Sequence, residues 1–139
     1  MDRIVKFLAG IAGALAGFMG EWSALLTALA VLMVMDYATG VALAWRGRSP
    51  KSQTGGVSSE AGFDGLLKKA FIIMIVLLAT ILDHALGTGS MVFQTATVCY
   101  YIANEGLSIL ENAALMGVPV PGAVERALEV FRKKGDGEE

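Results

Sequence analysis

The chain has 139 residues, 55% of them hydrophobic and 17% charged, with a formal net charge of −2 and a single His and a single Cys. Soluble domains carry about 25% charged residues, so this composition sets the chain apart from soluble enzymes, and its near-neutral charge offers nothing to attract nucleic acid. One His and one Cys cannot build a zinc site, and Cys99 has no partner for an intrachain disulfide, which leaves it as a small apolar filler.

Residues 4–20, IVKFLAGIAGALAGFMG, form a first apolar segment. Gly10, Gly13, Gly17 and Gly20 recur at three- and four-residue spacing and share one side of a helix, with Phe7, Leu8, Ile11, Leu15 and Phe18 on the other. A glycine face lets a neighbouring backbone approach closely. A second copy or the chain's own helices could supply that neighbour, and a loosened backbone is a third reading. The opening MDRIVK and the later Ala14-Leu15-Ala16 also have the outline of a signal peptide; we expect the segment to be retained.

Residues 22–45, WSALLTALAVLMVMDYATGVALAW, form a second apolar segment long enough to span a bilayer. Asp36 lies inside it, with Thr39 and Gly40 on the same helical face. An acid in a span needs a partner; a structural interhelical bond and a role in gating or permeation both fit. Residues 46–69 are rich in Gly and Ser and read as a flexible polar loop. Residues 70–86, AFIIMIVLLATILDHAL, form a third apolar segment, closed by Asp83 and His84, which we expect to be wetted end residues. GTGS at 87–90 is a turn and not a phosphate cradle.

Residues 91–116 form the fourth segment, about 39 Å long as a helix. At about 100° per residue, Gln94, Thr97, Tyr101, Asn104, Glu105, Ser108, Glu111 and Asn112 fall within an arc of about 120°. Val92, Ile102, Ala103, Ile109, Leu110 and Ala113 lie opposite. Such a stripe cannot face lipid. It faces the chain's own bundle as a polar seam, or it lines a water-filled pore in an oligomer, or the helix lies at the membrane surface. After GVPVPG stops this helix, residues 122–134 repeat apolar side chains at Val124, Leu128 and Phe131, a short amphipathic helix.

All eleven Lys and Arg lie near the N-terminus, in the central loop and its exit, or in the C-terminal region. The connections at 20–21 and 86–90 have none, so four spans with both termini in the cytoplasm satisfy the positive-inside rule. Three spans with an outside N-terminus would leave Arg3 and Lys6 on the wrong side, and a first helix lying flat on the inner surface is the third option. The apolar runs are long and do not alternate, which excludes strands. The expected fold is therefore one all-α membrane domain over 1–139: three to four transmembrane helices plus a short amphipathic C-terminal helix. No GxxxxGK[ST], GxSxG or HExxH occurs, so we expect no enzyme, no cofactor and no metal.

The run MDYATGVALAW, then SSEAGFDGLLKK, ILDHALG and YYIANEGLSILENAALMGVPVPGAVERAL, resembles the phage holin family, in the branch of toxin-secretion and phage-lysis holins. The resemblance covers about Leu32 to Leu128, and IANEGLSILENAALMGVPVP is its most specific piece. Asp36 and Gly40 match the family's D-x-x-x-G element, and Asn104, Glu105, Glu111 and Asn112 its N-E…E-N element. The resemblance implies a homo-oligomer in the bacterial cytoplasmic membrane, multi-pass, with a cytoplasmic C-terminus. It further implies timed lesions in the lipid bilayer that pass an endolysin to the cell wall or help export a secreted toxin. It brings no catalytic residues. A non-lytic membrane module such as a holin antagonist, and a small ion channel, are the competing functions.

Overall fold

The computed structural model describes residues 2–19 and 22–137. They form five helices and, among the described residues, no strand: α1 (Asp2–Phe18), α2 (Ala24–Trp45), α3 (Ser59–Leu86), α4 (Val92–Leu115) and α5 (Gly122–Gly135).

Local chemistry sets the helix ends. Ser23 caps α2 by accepting from the Leu26 N–H at 3.2 Å, and Ser58 caps α3 by accepting from Ala61 at 3.3 Å. The Ser58 cap starts α3 well ahead of the apolar segment at 70–86, so the polar loop shrinks to 46–58 and Lys68 and Lys69 become helical. α3 ends at Gly87, whose φ of 66° is the left-handed conformation that suits glycine at a helix terminus.

α2, α3 and α4 lie side by side in alternating directions. α4 is the central element: it packs along α2, α3 and α5, whereas α2 and α3 touch each other at few points. Leu26, Leu29, Ile72, Val76, Val98 and Ile102 form the core between these helices, and Phe131 of α5 packs against it. The outer side of α3 stays apolar and uncovered: Phe71, Met74 and Leu78 are 59%, 57% and 54% exposed. α2 and α3 are each long and apolar enough to cross a membrane.

No residue of α1 is buried. Its contacts with the rest of the molecule gather at its C-terminal end, where the Phe18 ring lies 5.2 Å from that of His84 and the Phe18 carbonyl is 3.2 Å from His84 Nε2. A Cβ added at Gly10, Gly13 or Gly17 would meet nothing within 4 Å, so this face has no neighbour within the described chain. Gly20, the fourth glycine of the stripe, lies outside the described residues.

Candidate functional site

The polar residues of α4 resolve into two buried clusters and an open edge beside them. The first cluster joins three helices. Lys69 of α3 extends its ammonium to Asp36 of α2, with Nζ 2.5 Å from Oδ2, and also to Glu105 Oε2 of α4. Asp36 and Glu105 are 6% and 3% exposed. Asp36 Oδ1 is buried with no hydrogen-bond partner among the described residues. Two carboxylates therefore share one ammonium, and when both are ionised the cluster carries one excess negative charge. Beside it, Asn112 donates to Thr39 Oγ1 at 2.9 Å, and Thr39 donates to the Asp36 carbonyl at 3.0 Å. Gly40 lies beside this contact, and a Cβ there would sit 4.0 Å from Asn112 Nδ2, an ordinary contact distance.

The second cluster begins with Asp83, which is 1% exposed. Asp83 is therefore not the wetted end residue that its position predicts. Asp83 Oδ1 accepts from the Phe93 N–H at 3.0 Å and from the Thr88 hydroxyl, and Oδ2 accepts from the Gln94 N–H at 2.7 Å. The physical reason is the start of α4. The first N–H groups of a helix have no intrahelical acceptor, and Met91, at φ 50°, gives no side-chain cap. The last turn of α3 supplies the missing acceptor from a neighbouring helix. Gln94 then donates through Nε2 to Thr80 Oγ1 at 2.8 Å and to the Met19 carbonyl at 3.2 Å. His84 stays exposed.

The eight stripe residues thus divide. Gln94, Glu105 and Asn112 are buried on the edge facing α2 and α3; Thr97, Tyr101 and Ser108 are half-buried; Asn104 and Glu111 are exposed. Asn104, Ser108 and Glu111 line a cavity of about 840 Å³ that has Asp36, Lys69 and Glu105 on its wall. The chemistry on offer is electrostatic: a charged, wettable recess beside a fixed ion cluster.

The opposite, apolar side of α4 is covered as well. Cys99, Ile102, Ala103 and Gly106 are buried. Leu128 of α5 lies over Gly106 and Gly135 over Tyr100.

Lys69 was not among the residues the sequence singled out, because it read as a loop cation. A signal was present. Asp36 lies nine residues before the end of α2 and Glu105 ten before the end of α4, and Lys69 lies ten after the start of α3. In helices running in alternating directions these positions share one level, about 14 Å from the ends where α2 and α4 finish and α3 begins. Two acids at one depth call for a cation on the third helix.

The chain matches the bacteriophage holin family over residues 13–133. An uncharacterised protein of Halalkalibacterium halodurans is 37% identical over 142 residues, covering 98% of each chain. An uncharacterised 14.9 kDa protein from the nagH 3′ region of Clostridium perfringens is 36% identical, covering 83% of this chain and 82% of its own. A probable holin of Bacillus phage phi105 is 34% identical over 106 residues, 76% of this chain and 73% of that protein. No solved structure matches.

Proposed function

The chain belongs to the bacteriophage holin family, and we propose that it acts as a holin: it oligomerises in the bacterial cytoplasmic membrane and opens lesions that let an endolysin, or a secreted toxin, cross. In this reading α2, α3 and α4 are three spans, with the 46–58 loop and the C-terminus in the cytoplasm. α1, which has apolar residues and an unpartnered glycine face, joins them as a fourth span when copies assemble.

The observation that carries the reading is the divided stripe. Gln94, Glu105 and Asn112 find partners within the bundle, but Asn104 and Glu111 are exposed. An ionisable side chain facing lipid is unfavourable by a few kcal/mol or more, so a lone inserted chain is under pressure to turn this edge toward something polar. A ring or raft of copies supplies it by placing the edges around shared water. The exposed edge is continuous with the charged recess at Asp36, Lys69 and Glu105, so widening the gap between copies hydrates a surface that is already polar.

The test is expression in a bacterium with and without a muralytic endolysin that lacks its own export signal. We expect collapse of the membrane potential in both cases and lysis only with the endolysin. If verified membrane expression leaves potential, growth and endolysin retention unchanged, the reading is wrong. A fixed, ion-selective unitary conductance without protein release would point to a channel instead.

A further inference from the structure

α5 doubles back along α4. Leu128 lies over Gly106, and seven residues later Gly135 lies over Tyr100, so the two helices run antiparallel. The contact is close. A Cβ added at Gly106 would sit 2.6 Å from Leu128 Cδ2, and one added at Gly135 would sit 2.6 Å from both Tyr100 N and Cα. Between them Phe131 reaches the bundle core.

This placement sets the depth of α5. Tyr100 is fifteen residues from the end of α4 at Leu115, roughly 22 Å along the helix. α4 is held level with α2 and α3 by the Asp36–Lys69–Glu105 cluster at one end and by Asp83 and Gln94 at the other. Any bilayer that surrounds α2 and α3 therefore surrounds α5. Yet the outward face of α5 carries Arg126, Glu129, Arg132, Lys133 and Lys134, all exposed. Side chains near a helix end can snorkel to the interface. Here the basic cluster lies at the deep end of α5, farthest from the inner surface. Docked α5 and a fully inserted bundle exclude each other.

We infer that α5 is an autoinhibitory cover on α4, resting on its Cys99–Gly106 side before the bundle is fully inserted and leaving it when the bundle opens lesions. The inference rests on the reading of α2, α3 and α4 as spans. The hinge is the connection after α4, with Gly117 at φ 81° and prolines at 119 and 121. Once released, α5 has the make-up of a helix that lies on an anionic inner surface, with Leu128 and Phe131 toward the acyl chains and its cations toward headgroups.

A reversible lock tests this. In a Cys99→Ala background, Gly106→Cys and Leu128→Cys place two thiols where the helices touch, and the loss of the leucine relieves the crowding at position 106. The pair is oxidised in detergent, and oxidised and reduced protein are reconstituted into vesicles of phosphatidylethanolamine and phosphatidylglycerol loaded with fluorescent dextran. Reduced protein should release dextran; the locked protein should do so at least tenfold more slowly, and dithiothreitol should restore release. Equal release from both overturns the inference, as does failure of the disulfide to form in detergent. A second readout stands apart from pore formation. The same oxidant applied to reduced protein already in vesicles should give at least fivefold less disulfide than in detergent, and equal yields overturn the inference. If the reduced protein releases nothing, the lesion-forming function fails, and the disulfide yields alone decide the position of α5.

Discussion

Lys69 shows how one side chain can hold three helices in register. Asp36 and Glu105 come from α2 and α4, and their ammonium partner comes from α3, which otherwise touches α2 at few points. Removing one partner of a buried ion pair leaves a charge without compensation and costs about 3–5 kcal/mol. Lys69→Met leaves two carboxylates in that state and should lower the thermal midpoint in detergent sharply. Asp36→Asn should be far milder, because it removes the excess negative charge, keeps an acceptor for Lys69 and leaves Glu105 paired. Circular dichroism melts of the two variants check the order; an Asp36→Asn melt below that of Lys69→Met would mean that the cluster does not hold the bundle through Lys69. The sequence identified Asp36 and Glu105 as acids in need of partners, because acids inside apolar segments stand out. It left Lys69 aside, because a cation at the edge of an apolar segment reads as solvated until the helices are laid side by side.

At the scale of the helix, periodicity was readable and neighbours were not. The polar arc of α4 follows from residue spacing alone. Its division into a paired edge and an open edge depends on where α2 and α3 lie. α3 begins at Ser59 because a serine cap and not hydropathy starts a helix, so an apolar window finds only its later part. α5 was equally visible as an amphipathic helix, but the spacing of Leu128 and Phe131 defines a face without saying what covers it. The division of the stripe sharpens what mutations should do. Glu105→Leu breaks the ion cluster and acts through stability, whereas Glu111 is exposed with no ion-pair partner among the described residues. If the open edge lines the lesion, Glu111→Leu should shift the time of lysis several-fold at matched membrane expression, while Ile109→Leu on the apolar side should leave it within experimental scatter. Growth curves after synchronised induction make the comparison. Equal shifts would remove the open edge from the mechanism.

At the scale of the molecule, the two candidate contact surfaces differ in whether they are already occupied. The apolar side of α4 is covered by α5, whereas Gly10, Gly13 and Gly17 of α1 face nothing within 4 Å among the described residues. α1 has no buried residue and meets the bundle mainly through Phe18 and the adjoining Met19, so a substitution on its glycine face has no packing to disturb among the described residues. Leucine in place of glycine in a helix interior improves helix propensity by up to about 1 kcal/mol, which works against any loss of α1 itself. Gly13→Leu should therefore leave the thermal midpoint of the detergent-solubilised monomer unchanged or slightly raised. Between inserted copies the same change has the opposite effect: a small residue that permits close helix approach becomes a bulky one and holds the backbones apart. Amine-reactive cross-linking of membranes should then show a shift from higher oligomers toward monomer, with lysis delayed or abolished. The two measurements together locate the face. A fall in monomer stability would place the glycines against the chain's own bundle. Unchanged stability with unchanged oligomers and timing would leave them without a packing role. Unchanged stability with lost oligomers would assign α1 to the contact between copies.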